Sequence, residues 1–149
     1  MAGGVDSLRQ KGTVETMSHI AKIEIEIHDL SALKTTAAAL GLEVIEGQTT
    51  FKYYGAQRGI CAHAIRIKGQ VGGNEIGIVG RTDGGRGFTL AWDPYAGGGG
   101  LVEKVGANCT KLKQGYAVEV ATRAAQRSGF RVVGRTVRQD GKVELKLQR

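Results

Sequence analysis

Short apolar segments separated by glycine-rich turns restrict the fold of this chain most strongly. Within residues 51–92, apolar residues and one histidine occupy every second position in three runs, separated by the loops GQVGGN at 69–74 and TDGGRG at 82–87. The alternating positions are Cys61, His63, Ile65 and Ile67, then Ile76 and Ile78, then Phe88, Leu90 and Trp92. A period of two is typical of half-buried strands, and glycine permits tight turns between them. The pattern predicts an antiparallel meander.

A strand and a helix precede the meander. The segment AKIEIEI at 21–27 alternates apolar with charged residues, which indicates a half-buried strand. Asp29 then offers an N-cap, and Gly41 stands just after the last helical turn. Apolar residues recur at helical spacing between them, at Leu30, Leu33, Ala37 and Leu40. We therefore expect a strand, a helix and a second strand that begins with LEVI at 42–45.

A second helix is predicted within residues 101–128, where Gly106 and Gly115 weaken its first half. Its apolar positions are spaced by four, at Leu112, Tyr116, Val120 and Ala124. Glu119 can form an ion pair with Arg123 one turn later. Ser128 and Gly129 follow as the predicted end of the helix.

The chain ends in a predicted hairpin around Asp140 and Gly141. A three-residue loop, with Gly141 left-handed in a bulge, separates polar from apolar faces better than a two-residue turn does. This register pairs Val137 with Val143 and Val133 with Leu147. It also places Arg135 opposite Leu145, which the pattern does not explain.

The order of elements predicts an α+β fold, β-α-β-meander-α-β-β, with a mainly antiparallel sheet and two helices packed on one face. Residues 17–149 form a single predicted domain. Residues 1–16 lack periodicity and a secretory signal, so we expect a flexible N-terminal extension. No apolar run approaches the roughly 18 residues of a membrane span, which predicts a soluble protein. Without a secretory signal, we expect it in the cytoplasm.

The positive charge is concentrated in the last third of the chain. The formal net charge is +7, and residues 101–149 carry 11 Lys and Arg against 4 Asp and Glu, while residues 1–100 are balanced. Such a segment can attract nucleic acid or an acidic partner, or can simply be a solvated face. The candidate anion-binding residues are Arg123, Arg127, Arg131, Arg135 and Arg138.

No familiar catalytic or metal-binding motif is present, and we predict no enzyme activity, metal or cofactor. Cys61 and His63 can share a strand face, but two ligands do not make a metal site, and a core histidine is the simpler interpretation. Cys61 and Cys109 are expected to be buried free thiols. An active site built from Cys61, His63, Asp83 or Asp93 is the least favoured hypothesis.

One aromatic patch is a candidate contact for a protein partner, namely Trp92, Asp93 and Tyr95. If this patch is exposed in a groove, its aromatic rings suit a protein interface. The alternative is that Trp92 anchors the core of the last meander strand.

The order of several short motifs resembles an uncharacterised family of plastid and cyanobacterial proteins, known as hypothetical chloroplast reading frame thirty-five, with relatives in other bacteria and phages. The motifs are Met17-Ser18-His19-Ile20, DLSALKTTAAALG at 29–41, Ile76-Gly77-Ile78, Ala91-Trp92-Asp93, Gln114-Gly115-Tyr116-Ala117, Gly129-Phe130 and Asp140-Gly141. The resemblance covers residues 17–149, with departures at the four-glycine tract 97–100 and the shortened tryptophan region. It implies no known activity. The association of such proteins with an AAA-type ATPase implies an accessory role, in the cytoplasm, an organelle stroma or a phage-infected cell.

Two functions therefore compete. The first is a non-catalytic accessory or adaptor domain that binds a protein partner within an assembly. The alternative is a nucleic-acid-binding accessory protein that uses the basic last third of the chain.

Overall fold

The described residues form nine strands and three helices in the order that the sequence predicts, except that the second predicted helix is divided into two. The computed structural model describes residues 21–54, 57–81, 85–93, 100–137 and 143–149. In chain order the elements are β1 (Ala21–Ile27), α1 (Leu30–Ala39), β2 (Leu42–Glu46), β3 (Thr50–Tyr54), β4 (Gln57–Ile60), β5 (His63–Ile67), β6 (Ile76–Gly80), β7 (Phe88–Trp92), α2 (Leu101–Val105), α3 (Thr110–Arg127), β8 (Arg131–Val137) and β9 (Val143–Gln148). Residues 1–16, the predicted extension, lie outside the described ranges.

Five strands form an antiparallel sheet in the spatial order β1-β7-β6-β5-β2. The meander β5-β6-β7 is its centre, as the alternation predicts, while β1 and β2 are its two edges. The single helix α1 connects these two edges and therefore crosses one face of the sheet. Asp29 caps α1 by accepting a hydrogen bond from the Ala32 amide at 2.9 Å, and Gly41 follows the helix with a φ of 79°. The predicted α+β fold is confirmed.

One face of the sheet carries large aliphatic side chains that both long helices cover. Buried residues of the sheet and of α1, α2 and α3 belong to a single core cluster. Those from the meander are Ile65, Ile76, Ile78, Leu90 and Trp92. Burial of each such side chain stabilises the folded state by about 1.5–3 kcal/mol. The prediction that two helices pack on one face is confirmed.

The opposite face is lined by small residues and covered by the β3–β4 hairpin. Ala64, Gly77 and Ala91 are register partners across three neighbouring strands. The ring of Phe51 lies over this row, because a Cβ atom placed on Gly77 would be only 2.4 Å from it. A Cβ atom on Gly59 would meet the same ring at 2.4 Å. Because neither glycine has a Cβ atom, the Phe51 ring packs directly against both, and Phe51 is only 1% exposed.

Gly106 divides the helix that the sequence places within 101–128. Helix α2 ends at Val105, and Gly106 has a φ of 81°, which favours glycine. A single 3₁₀ turn, Ala107–Cys109, leads into α3. Asn108 and Cys109 both adopt left-handed backbone conformations there, with φ of 55° and 58°. As a result, α2 and α3 are separate helices, and each buries its own side chains in the core.

The C-terminal hairpin forms its own two-stranded sheet, β8–β9. The predicted pairs Val137–Val143 and Arg135–Leu145 are confirmed. The predicted pair Val133–Leu147 is wrong, because Leu147 pairs with Val132. Val133 is the extra residue of a bulge between Val132 and Gly134, which shifts the register by one. The predicted loop with Gly141 lies outside the described residues.

No helix in the described ranges is both long enough and apolar enough to span a membrane.

Candidate functional site

The interface between α1 and α3 positions most of the candidate site. The hydroxyl of Tyr116 on α3 accepts hydrogen bonds from the backbone N–H groups of His28 and Asp29, at 3.0 and 3.1 Å. These groups immediately precede α1, and the bonds fix its start against α3. Tyr116 is 7% exposed, so it is a core residue whose hydroxyl holds two backbone groups.

Arg123 ties the same two helices together. Its guanidinium donates to Glu119 Oε2 at 2.8 Å, to Ser31 Oγ at 3.1 Å and to Thr35 Oγ1 at 2.9 Å. It also lies 3.8 Å from a carboxylate oxygen of Asp29. The predicted Glu119–Arg123 pair is confirmed. Two carboxylates and two hydroxyls therefore surround the Arg123 guanidinium in the contact between the helices.

The other predicted arginines are dispersed over the end of α3 and the hairpin. Arg127, Arg131 and Arg135 are exposed, and Arg131 donates to Gln148 Oε1 at 3.1 Å. Arg138 lies outside the described residues. Arg135 differs from the rest, because it lines a groove with residues of both long helices.

A groove of about 320 Å³ lies between α1, α3 and β8. The two helices approach closely beside it, since a Cβ atom on Gly115 would lie 2.6 Å from Thr36 Cγ2. The groove is lined by Thr35, Thr36, Ala39, Leu40, Lys111, Gln114, Gly115, Val118, Glu119 and Arg135. Its surface therefore combines small apolar residues with cationic and amide side chains.

The hairpin beside the groove leaves its apolar side chains incompletely covered. Val132, Val143 and Leu145 are half-buried, while Val133 and Leu147 are 48% and 42% exposed. The guanidinium of Arg149 lies 4.3 Å from the centre of the Phe130 ring, within cation–π distance. Basic and apolar groups thus share one surface, a combination found at protein interfaces.

The described part of the predicted aromatic patch is buried rather than exposed. Trp92 is 2% exposed and belongs to the core cluster, and Asp93 is 4% exposed. Tyr95 lies outside the described residues. The core-anchor interpretation of Trp92 is confirmed, because β7 is a central strand whose helix-facing side is covered.

Cys61 and His63 do not share a face, contrary to the sequence prediction. His63 lies on the same face as Ile65, and its ring meets the Phe88 ring edge-on with 5.5 Å between the ring centres. Its Nδ1 accepts a hydrogen bond from the Gly47 amide. Cys61 belongs to the cluster around Phe51 on the opposite face, because the bend at Ala62 interrupts the alternation before β5. Within the ranges described, no group of three or more His, Cys, Asp or Glu could hold a metal ion.

Both cysteines are free and buried, as the sequence predicts. Burial, and next the nearby charge of Glu75, raise the pKa of the Cys61 thiol to about 11. Burial raises the pKa of Cys109 to about 12. The thiolate is the nucleophilic form, so neither residue is an activated nucleophile near neutral pH. Asp83, the remaining catalytic candidate besides Asp93, lies outside the described residues.

The groove is the feature that sequence reasoning missed. Its α3 residues recur three and four positions apart, at Lys111, Gln114 or Gly115, and Val118 or Glu119. This spacing marks a second face of α3 beside its core face. The signal was present, but nothing in the sequence indicated that β8 would lie along that face.

Residues 36–146 match the model of a protein family described as "Protein of unknown function (DUF1257)". No curated protein and no solved structure gave a match.

Proposed function

We propose from its geometry that this chain, which belongs to the DUF1257 family of proteins of unknown function, is a non-catalytic adaptor domain. It binds a protein partner within an assembly. The observation that carries this proposal is the surface formed by α3 and β8–β9. Both faces of the five-stranded sheet are covered, whereas the hairpin exposes apolar side chains among basic ones. Exposed apolar groups next to charged ones are typical of contact surfaces.

The state of the candidate side chains in the described part of the chain supports binding rather than catalysis. The two thiols have raised pKa values, and Arg123 is engaged between helices. His63 accepts a hydrogen bond at Nδ1 from a backbone amide. These arrangements explain the side chains as parts of the fold, which leaves the basic surface as the functional feature.

The narrower assignment within the family is also a proposal. The order of motifs from residue 17 to residue 149 supports membership of the hypothetical chloroplast reading frame thirty-five group. The resemblance further supports an AAA-type ATPase as the protein partner, with cytoplasmic or stromal localisation.

Affinity purification from the native host tests the adaptor function. The tagged protein is recovered at low and at moderate salt, and bound protein and nucleic acid are identified. We expect a stoichiometric protein partner that survives moderate salt. The double variant Val133→Ser with Leu147→Ser should lose this partner, whereas Ile60→Ser with Val71→Ser should keep it. Ile60 and Val71 are the matched control, because they are exposed apolar residues outside the hairpin, at 77% and 83%.

A strictly monomeric protein with no stoichiometric partner at either salt concentration would contradict the adaptor proposal. Equal loss of the partner in both double variants would show that the hairpin surface is not its site.

The second candidate function is nucleic-acid binding, favoured by the exposed Arg127, Arg131 and Arg135. Neutralised phosphates release counterions, so affinity for DNA or RNA would fall steeply with salt. Each Arg→Gln substitution at a phosphate contact should reduce the salt slope by about 1. Undetectable binding of a single-stranded oligonucleotide at low salt would exclude this function.

A further inference from the structure

The groove between α1, α3 and β8 has an apolar floor. Ala39 and Leu40 at the end of α1 face Val118 of α3 across it, with Gly115 between the helices. Its volume of about 320 Å³ is at the lower end of the range for ligand pockets, about 300–1,000 Å³. The groove can therefore hold a few side chains of a partner, but it cannot enclose a complete helix.

The charges on the groove walls are positive and incompletely neutralised. Lys111 Nζ donates to the backbone carbonyl of Glu103 at 3.1 Å and has no carboxylate partner among the residues described. Arg135 forms no hydrogen bond or ion pair with any described residue. Glu119, the one acid among the described lining residues, is already paired with Arg123 at 2.8 Å. Among the described residues, therefore, neither cation of the groove has a carboxylate partner.

The apolar floor continues onto the hairpin. Arg135 is the register partner of Leu145, and Val143 and Leu147 lie on the same side of β9 by alternation. None of these three apolar side chains is fully buried. A partner that enters the groove can therefore extend its apolar contact along β9.

We infer that this groove binds an acidic, amphipathic peptide segment of the protein partner. The inference rests on the proposed adaptor function and specifies the chemistry of the partner. Carboxylates of the segment pair with Lys111 and Arg135, while its apolar side chains cover Leu40 and Val118. Lys111 and Glu119 are eight residues apart on α3, so the groove follows about 12 Å of helix, or roughly two turns of a bound helical segment.

A nucleic acid fits this groove less well than an acidic peptide. Single strands are held by several phosphate contacts and by aromatic side chains on which bases stack. Of the described residues that line the groove, two are cationic and none is aromatic. Its apolar floor has no counterpart on a phosphate backbone.

NMR titration of the full ¹⁵N-labelled chain tests the inference. The probe is a twelve-residue peptide of glutamate and leucine, with leucines spaced three and four positions apart. Two control peptides replace either all glutamates by lysine or all leucines by glutamine. We expect shifts at the amides of Gly115 and Val118, and at least tenfold weaker binding of both control peptides.

Two pairs of variants localise the binding. Arg135→Glu should weaken binding at least tenfold, whereas Arg86→Glu, the same charge change at an exposed residue outside the groove, should stay within twofold. Ala39→Phe fills the groove and should also weaken binding, whereas Ala38→Phe, at the neighbouring exposed position, should not. Circular dichroism of each variant verifies its fold.

Several results would overturn the inference. They are shifts confined to residues outside the groove, equal binding of the lysine peptide or the leucine-free peptide, and equal weakening by Arg86→Glu. Affinity purification with the variants separates the two proposals. A partner that Arg135→Glu and Ala39→Phe both retain would refute the groove as its site, while the adaptor function would stand. If the unmodified protein captures no partner, the adaptor function itself fails.

Discussion

The five-stranded sheet and the C-terminal hairpin are both antiparallel and both alternate apolar with polar residues, yet they are buried to very different degrees. The sheet is covered by helices on one face and by the β3–β4 hairpin on the other. The β8–β9 hairpin contacts α3 on one side and retains exposed Val133 and Leu147. The sheet also lies within residues 1–100, whose charges balance, whereas the excess positive charge lies in residues 101–149.

Because of this difference, we expect the sheet to determine the stability of the fold and the hairpin to determine its binding. Burial of apolar surface stabilises the sheet, so substitutions there should alter the free energy of unfolding. The hairpin contributes little burial, so substitutions there should alter binding more than stability. Four measurements test this division, in order of decreasing expected effect.

The largest effect on stability is expected from Phe51→Ala. The Phe51 ring is 1% exposed and lies between Gly59 and Gly77, which cannot fill the space it would leave. The free energy of unfolding should fall by about 3–5 kcal/mol. Urea denaturation measures it, with Tyr53→Ala as the control, because Tyr53 is half-buried and should cost less. Equal losses for the two variants would contradict the assigned role of Phe51.

A smaller loss is expected from Tyr116→Phe. The substitution removes the acceptor of two backbone N–H groups at the start of α1, while the ring remains in the core. Leaving such donors without a partner costs about 1–3 kcal/mol. Thermal and urea unfolding measure the change, and Tyr53→Phe is the control because the Tyr53 hydroxyl contacts the exposed Gln57. No difference between the variants would show that water replaces the hydroxyl without cost.

A pH-dependent effect is expected at the edge of the sheet, where Arg66 donates to Glu43 across β5 and β2 at 2.6 Å. This hydrogen bond, followed by the Gly69 amide, lowers the pKa of Glu43. Because the folded-state pKa lies below the unfolded value of about 4.3, the pair stabilises the fold above that pH and loses its effect as pH falls through the folded pKa. Glu43→Gln should therefore be less stable than the unmodified protein at pH 7.

Urea unfolding at pH 7 and at pH 3 measures this difference, which should shrink at the lower pH. Glu103→Gln, at an exposed carboxylate in α2, is the control and should show no such trend. A constant difference at both pH values would mean that the carboxylate charge of Glu43 does not stabilise the fold.

The smallest effect on stability is expected from Leu147→Ser. Leu147 is 42% exposed, so the free energy of unfolding should change by no more than about 0.5 kcal/mol. Urea denaturation measures it beside Leu90→Ala, whose side chain is fully buried and which should cost about 2–5 kcal/mol. A loss from Leu147→Ser approaching that of Leu90→Ala would show that the hairpin is an integral part of the core.

Alternation in the sequence predicted the strands well, and it failed where the backbone departs from regular geometry. The bend at Ala62 moved Cys61 to the face opposite His63, and the bulge at Val133 shifted one end of the hairpin. In α3 the spacing by four groups Ala124 with Leu112 and Tyr116, but Ala125 is the buried residue. A helix has 3.6 residues per turn, so three steps of four residues drift by about 120° away from the core face.

Of the candidate site, the sequence predicted only that its residues are basic. The sequence located the basic residues, but it could not distinguish Arg123, which ties α1 to α3, from Arg135, which lines the groove. That distinction depends on Ser31 and Thr35, which are about 90 residues away from Arg123 in the chain and meet it only after folding.

The sequence by itself determined the types and order of the elements, the capping of α1, the antiparallel meander and the position of the excess charge. These are local properties, set by periodicity, capping residues, turn residues and composition within short segments. Only the tertiary structure decided that Phe51 lies on a row of small residues, that Gly106 divides the second helix and that a groove forms beside Gly115. Those features depend on which distant surfaces pack together, and close packing of distant side chains is not encoded in any local pattern.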